Sequence, residues 1–445
     1  MTLLIYVLYI SGFIAFIWIA TSTSYGILAF FAFAVIAVGA GAIMHARQFW
    51  WGRKADKRPL IHLDARMGVR PHVMKNLVPD GYRLSCLFFG SGLIDRTRTL
   101  DHGFAYEVLD RIPSVPDQTA SMAELCDDRA RRIVSDAKRT DRPINLMWSG
   151  GMDSTAACVA LIRALQSDDK LSRLNIYYAP KSRREYRKFF HNHIKGKIER
   201  HKIHTVAPVF ERDGLVVTGE LGDQLFGSAT ALDLPISDLM KPWQSELPRL
   251  LTDRFASAHR GETMAAYLTP QIERAPVPIP TLFECLWWLN FSLKWQPVSL
   301  RMIASHPKKS FQELQPNVAH FFQTDDFQRW ALANPNMRIR DTWQTYKWPL
   351  RDYIFAFTGD RDYRDYKTKE PSLKGMLDRR VKRAALGLTV GGVAVWQGID
   401  ETLRKPLPDE TLANEDGSES GISVEFSTTR EAPLWDGIGD GDGGE

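Results

Sequence analysis

The chain has 445 residues, 44% hydrophobic and 24% charged, enough for two or three domains and a sizeable core and too ordinary a mixture for general disorder. Its formal charge of +5 hides an imbalance, because eleven acids and one arginine follow from Asp409 onward, leaving residues 1–408 at about +15 and favouring anionic partners. Cys86, Cys126, Cys158 and Cys285 stand apart without CxxC spacing, which argues against a zinc ribbon, an iron–sulfur site or a disulfide framework and points to a reducing compartment.

Leu3–Ala20 and Ile27–Met44 are two eighteen-residue runs without a charge, each near the length needed to cross about 30 Å of hydrocarbon as a helix. A secretory signal fits less well, because no Lys or Arg precedes the first run and a second run follows at once. A transmembrane helical hairpin is therefore predicted over residues 1–46, with a buried helical pair as the alternative. Arg47, Arg53, Lys54, Lys57 and Arg58 crowd its exit beside Trp50 and Trp51, which places that side in the cytoplasm. A membrane localisation follows, with the rest of the chain facing the cytoplasm.

Residues 47–118 read as a basic juxtamembrane segment and a small mixed region, with strand-like runs at YRLSCLFFG and GFAYEVL. Ser121–Lys138 has the apolar spacing of an amphipathic helix. PINLMW is a strand candidate, TAACVALIRAL a helix, and LNIYYAP and GLVVTG two further strands. This alternation predicts an α/β fold, a parallel sheet with helices on both faces. Beyond about residue 230 the chain reads as mostly helical. PTLFECLWWLNFSLKW is expected to be core rather than a third crossing, since Glu284, Asn290 and Lys294 interrupt it. LTVGGVAVW reads as a Gly-Gly hairpin within a C-terminal extension over 373–413, and 414–445 as an acidic disordered tail. The main domain is expected over 119–372.

The chemistry is concentrated at LMWSGGMDSTAACVAL. A strand that ends in Ser149, Gly150 and Gly151 and enters a helix gathers backbone N–H groups, hydroxyls and a helix dipole around one concavity, which suits phosphate oxygens. Glycine lets the backbone approach closely and permits positive φ. The pattern GxxxxGK[ST] is absent, which excludes the usual P-loop.

Ser149–Ser154, SGGMDS, matches the SGGxDS signature of the PP-loop, or N-type ATP pyrophosphatase, superfamily, whose fold is adenine nucleotide alpha hydrolase-like. A second stretch, VVTGELGDQLFGS, resembles the SGEGADELFGG loop of asparagine synthetase and β-lactam synthetase through Thr218, Gly219, Glu220, Gly222, Asp223, Leu225, Phe226 and Gly227. It departs at Leu221, where the family has glycine, and at Gln224, where it has glutamate. YKWPLRDYI resembles the family's K-x-x-L-R motif and puts Lys347 in the place of its catalytic lysine, while Lys367 in YKTKEPSL resembles a later R-x-K element.

The resemblance implies ATP cleavage between the α- and β-phosphates, transfer of AMP to a substrate carboxylate and release of pyrophosphate. It implies Mg2+ held by Asp153 and Asp223, and a nucleotide cradle from Ser149, Gly150, Gly151, Ser154, Gly219 and Lys367. Lys347 would stabilise the developing negative charge, and Glu220 would orient or deprotonate a nitrogen nucleophile. The start MTLLIYVLYI lacks the nucleophilic cysteine with which the family's glutaminase domain begins. Nitrogen would therefore come from ammonia, a separate amidotransferase or an amine of the substrate. The chain is identified as resembling an asparagine synthetase-like carbon–nitrogen ligase, tethered to the membrane by its hairpin.

Two other readings stay open. Lys181–His204 is dense in Lys and Arg, with His191, His193, His201 and His204 interspersed. It is a solvated helical face, a platform for nucleic acid or anionic headgroups with Tyr186, Phe189 and Phe190 as stacking groups, or a histidine zinc site. The platform would suit a PP-loop enzyme that modifies a tRNA or DNA base. Leu221 and Gln224 would suit a membrane scaffold with a decayed nucleotide pocket.

Overall fold

Five short strands run parallel: β1 (Ile144–Trp148), β2 (Leu174–Tyr178), β3 (Glu199–Lys202), β4 (Leu215–Thr218) and β5 (Val318–His320). In this computed structural model, residues 79–103, 106, 108–114, 119–166, 171–232, 234–304, 311–367, 387–390 and 393–397 are described. The predicted hairpin over 1–46, the basic cluster after it and the acidic tail lie outside the described residues. No helix among the described residues is long and apolar enough to cross a membrane.

The spatial order is β3-β2-β1-β4-β5, with Ile144 opposite both Leu174 and Leu215. The order reverses between β1 and β4, and such a switch point opens a crevice at the carboxyl ends of the two strands. β1 is buried throughout, as expected for a parallel strand covered on both faces. Met147, Tyr177 and Val216 pack on one side with Phe210, Leu300, Met302 and Ile303. Leu146, Trp148, Ile176 and Val217 are equally buried, and Trp148 Nε1 donates to Thr155 Oγ1 on the helix that follows β1.

Three helices frame the strands: α2 (Met122–Arg139), α3 (Met152–Gln166) and, much later in the chain, a helix over Trp348–Thr358. Ser121 and Glu124 close a reciprocal capping box at the start of α2, and Lys138 and Arg139 suit its negative C-terminal end. The helical C-terminal part is real, and its centre is the helix Leu282–Leu293, buried at every residue but Glu284. β5 interrupts that part and completes the sheet, a strand absent from the sequence reading.

YRLSCLFFG is not a strand. It forms α1 (Asp80–Phe89), closed by Gly90 at φ 61°. A short apolar run fits either state, and here packing decides: a Cβ on Gly81 would lie 2.3 Å from Tyr267 Cβ, so the helix lies directly on its neighbour Ala258–Glu273. The next residues join the helical part through the Ile94 and Arg96 amides, which donate to Leu293 and Ser292. GFAYEVL is only partly described. Gly387–Val390 and Val393–Gln397 pair antiparallel, and the Gly-Gly pair between them lies outside the described residues.

Candidate active site at the switch point

Ser149 follows the last residue of β1, and α3 begins three residues later. Gly150 has φ 80°, and a Cβ there would also meet the Ser182 carbonyl oxygen at 2.4 Å, so glycine is required twice over. Within the turn, the Ser149 amide donates to Ser154 Oγ at 3.0 Å and the two hydroxyls lie 2.9 Å apart. The turn therefore presents hydroxyls and amides together at the amino end of a fifteen-residue helix.

The second motif leaves β4 beside this turn. A Cβ on Gly219 would come within 2.6 Å of the Ser154 nitrogen, and one on Gly222 within 2.4 Å of Asp153 Cγ. These two glycines let the β4 loop lie backbone-close on α3, so that Asp223 reaches Asp153. Leu221 adopts φ 75° and ψ −8°, the left-handed geometry its glycine counterpart would take freely. That conformation costs about 1–2 kcal/mol in a residue with a Cβ. The loop keeps its shape nonetheless, with the Leu221 side chain buried at 1% exposure.

Lys347 joins the two acids. Its Nζ lies 2.7 Å from both carboxylate oxygens of Asp153 and 2.7 Å from Asp223 Oδ1. It caps α4 (Trp348–Thr358) at φ 58°, a strained position held by the Lys347 amide donating to Arg338 O. Burial opposes its charge, but Asp153 and Asp223 outweigh burial and hold the ammonium above the ordinary lysine range. Arg351 secures the arrangement, donating to the carbonyls of Tyr346, Arg364 and Lys367 at 2.7–2.8 Å.

One acid oxygen of each pair is thus within twice 2.7 Å of the other, while opposite oxygen ligands of Mg2+ lie about 4 Å apart. Among the described residues no group of three or more His, Cys, Asp and Glu forms a metal site. Two carboxylates completed by phosphates and water is a donor set that suits Mg2+, so Asp153 and Asp223 fit the ion.

Glu220 is 5% exposed and pairs with Arg301. Burial raises its carboxyl above the usual range, Arg301 opposes that, and the nearby Asp223 and Asp153 add to it. Its amide donates to Thr218 Oγ1, which also meets His320 Nδ1 at 2.7 Å. His320 Nε2 lies 2.6 Å from Ser299 O, and burial lowers its pKa to about 4. A neutral imidazole therefore donates to Ser299 and accepts from Thr218.

A cavity of about 220 Å³ lies over these groups. Ser149, Gly151, Asp153, Ser154, Gly219, Glu220 and Asp223 line it on one side, and Met147, Tyr177, Val298 and Met302 give it an apolar wall. Gly150 and Lys347 support this lining from behind. Lys367 departs from the expected cradle: its Nζ pairs with Glu185 at 3.1 Å, both side chains buried, and Glu185 packs against Gly150. The ion pair buttresses the turn and does not line the cavity.

The basic segment also departs from expectation. Lys181, Arg183, Arg184 and Arg187 are exposed, but Tyr186, Phe189 and Phe190 are buried, stacking on Tyr363 and Trp148. They are unavailable to stack on bases. Its last part is edge strand β3 rather than helix, and its histidines contact aromatic rings, His193 on Phe189 and His201 on Tyr177.

Arg301 and Arg351 are the site residues that sequence reasoning missed. Arg351 was within reach, since it ends the K-x-x-L-R stretch, whereas nothing in WQPVSLRMIA marks Arg301. No protein-family model matches this chain, and no curated protein matches it in sequence.

Proposed function

We propose that this chain is an ATP-dependent carbon–nitrogen ligase that adenylates a carboxylate, releases pyrophosphate and passes the acyl group to a nitrogen nucleophile. The observation that carries the reading is convergence: Asp153, Asp223 and Lys347, from three distant stretches, meet at 2.7 Å beside a Ser-Gly-Gly turn at the sheet's switch point.

In this reading the turn's amides and the amino end of α3 receive the departing pyrophosphate. Mg2+, held by Asp153 and Asp223, would neutralise phosphate charge when bound. A substrate carboxylate oxygen attacks the α-phosphorus, the bond to the bridging oxygen breaks, and pyrophosphate leaves with the electron pair. Lys347 stabilises negative charge as it develops. Nitrogen then attacks the acyl carbon, AMP leaves, and Glu220 accepts the proton, its raised pKa suiting it as a base. The apolar wall of the cavity takes the purine. The N-terminal hairpin tethers the enzyme to the membrane, with its catalytic domain towards the cytoplasm and its ATP.

The test uses the full chain in detergent with ATP, Mg2+, labelled pyrophosphate and a panel of carboxylates. Label should enter ATP only when a suitable carboxylate is present, and Asp153→Ala should abolish the exchange. Production of ADP and phosphate instead, or exchange that survives Asp153→Ala, refutes the proposal.

A further inference from the structure

We propose that Lys347 and the divalent cation compete for the same two carboxylates, so that the cation enters this site as its nucleotide complex and not alone. The inference rests on the reading of Asp153 and Asp223 as cation ligands given above.

The Lys347 ammonium already uses both oxygens of Asp153 and one of Asp223, each at 2.7 Å. A Mg2+ ion would bond such oxygens at about 2.0–2.1 Å. Two positive centres would then crowd a few ångströms apart, beside a lysine only 1% exposed, where water screens them little. The lysine cannot withdraw as a whole. Its amide is held by Arg338 O, and the Leu350 and Arg351 amides donate to its carbonyl. The aromatic rings of Tyr346 and Phe226 lie 5.5 and 5.9 Å from Nζ. Only the flexible side chain can yield, and it yields favourably only towards another anion.

A hydrated cation arriving alone brings no such anion, and Mg2+ sheds water reluctantly. A cation carried by ATP brings phosphate oxygens, which replace the acid oxygens that the ammonium gives up. Displacement by the nucleotide complex thereby turns Lys347 from the acids towards the phosphate chain. The lysine's structural and chemical roles then alternate instead of coexisting.

The test measures Mn2+ binding to the detergent-solubilised full chain by the electron paramagnetic resonance of free Mn2+, with and without α,β-methylene-ATP. Wild type should bind Mn2+ only with the analogue. Lys347→Met should bind Mn2+ alone, tighter than wild type by roughly tenfold to a hundredfold, the factor expected for one charge-assisted hydrogen bond relinquished. Adding Asp153→Asn should remove that gain. Wild type binding Mn2+ alone as tightly as Lys347→Met, or Lys347→Met showing no gain, overturns the proposal.

Thermal melting of wild type guards against a poorly folded variant. Mg2+ alone should leave Tm unchanged, while Mg2+ with the analogue should raise it, and an equal rise from Mg2+ alone overturns the idea. Loss of pyrophosphate exchange with this binding pattern intact refutes the ligase reading only. The converse result refutes the competition only.

Discussion

Replacing Gly222 with alanine isolates the contact that brings the two acids together. The new Cβ would lie 2.4 Å from Cγ and Oδ1 of Asp153, far inside van der Waals contact, so that carboxylate must turn away. The backbone does not resist, since Gly222 is outside the left-handed region, and alanine is the better helix former by up to about 1 kcal/mol. Against that gain, buried Lys347 loses two of its three carboxylate contacts. Stripping a buried charge of its partner costs about 3–5 kcal/mol, and Asp223 still holds the ammonium, so a net loss of about 2 kcal/mol is expected. For a main domain of roughly 250 residues that lowers Tm by about 4 °C. Circular dichroism melts of the detergent-solubilised chain measure it, and pyrophosphate exchange should fall at least about tenfold alongside. In an Asp153→Ala background the clashing atoms are gone, and the same substitution should be neutral or slightly stabilising. A wild-type melt for Gly222→Ala, or an equal loss in both backgrounds, refutes the reasoning.

Arg301→Met should steepen the dependence of stability on pH. Burial raises the folded-state pKa of Glu220, so folding favours its protonated form, and stability falls as pH climbs from the ordinary carboxylate range through the raised value. Removing the opposing cation widens that fall. Tm measured from pH 4 to 8 should therefore diverge between variant and wild type as pH rises, and the divergence should vanish in a Glu220→Gln background; parallel curves count against the pairing. Arg351→Met leaves three carbonyls without their donor, for a loss of about 3 kcal/mol at 1–3 kcal/mol per buried orphan with partial relaxation. Limited proteolysis should then cut near residues 364–367 before other sites, with a slower exchange rate, whereas an unchanged digestion pattern would show that Arg351 is not the tie.

The parts of the site legible in the sequence were those whose backbone needs particular residues. Ser149–Ser154 and the β4 loop could be read because close approach demands glycine at 150, 219 and 222, and an anion-binding turn demands amides and hydroxyls. β1, β2 and β4 could be read because buried parallel strands are short apolar runs bounded by breakers. The rest depends on tertiary partners. α1 has the composition of a strand and becomes a helix because Gly81 fits against Tyr267. β5, of three residues, has too little sequence to carry a period. Arg301 and the Glu185–Lys367 pair become meaningful only once α3, β4 and the late helices stand together. One of the readings left open for Lys181–His204 made Tyr186, Phe189 and Phe190 outward stacking groups, yet the same amphipathic mixture turns aromatic rings inward and leaves the cations outside.

The ion triad also sets a schedule for biosynthesis. Lys347 stands 194 residues after Asp153 and 124 after Asp223, and a translating ribosome adds about 5–20 residues per second. Each nascent chain therefore carries the acid-bearing turns for roughly six to forty seconds before their counter-charge has been made. The counter-charge comes from the residue that caps α4, so the triad closes only when all but the end of the main domain has been made.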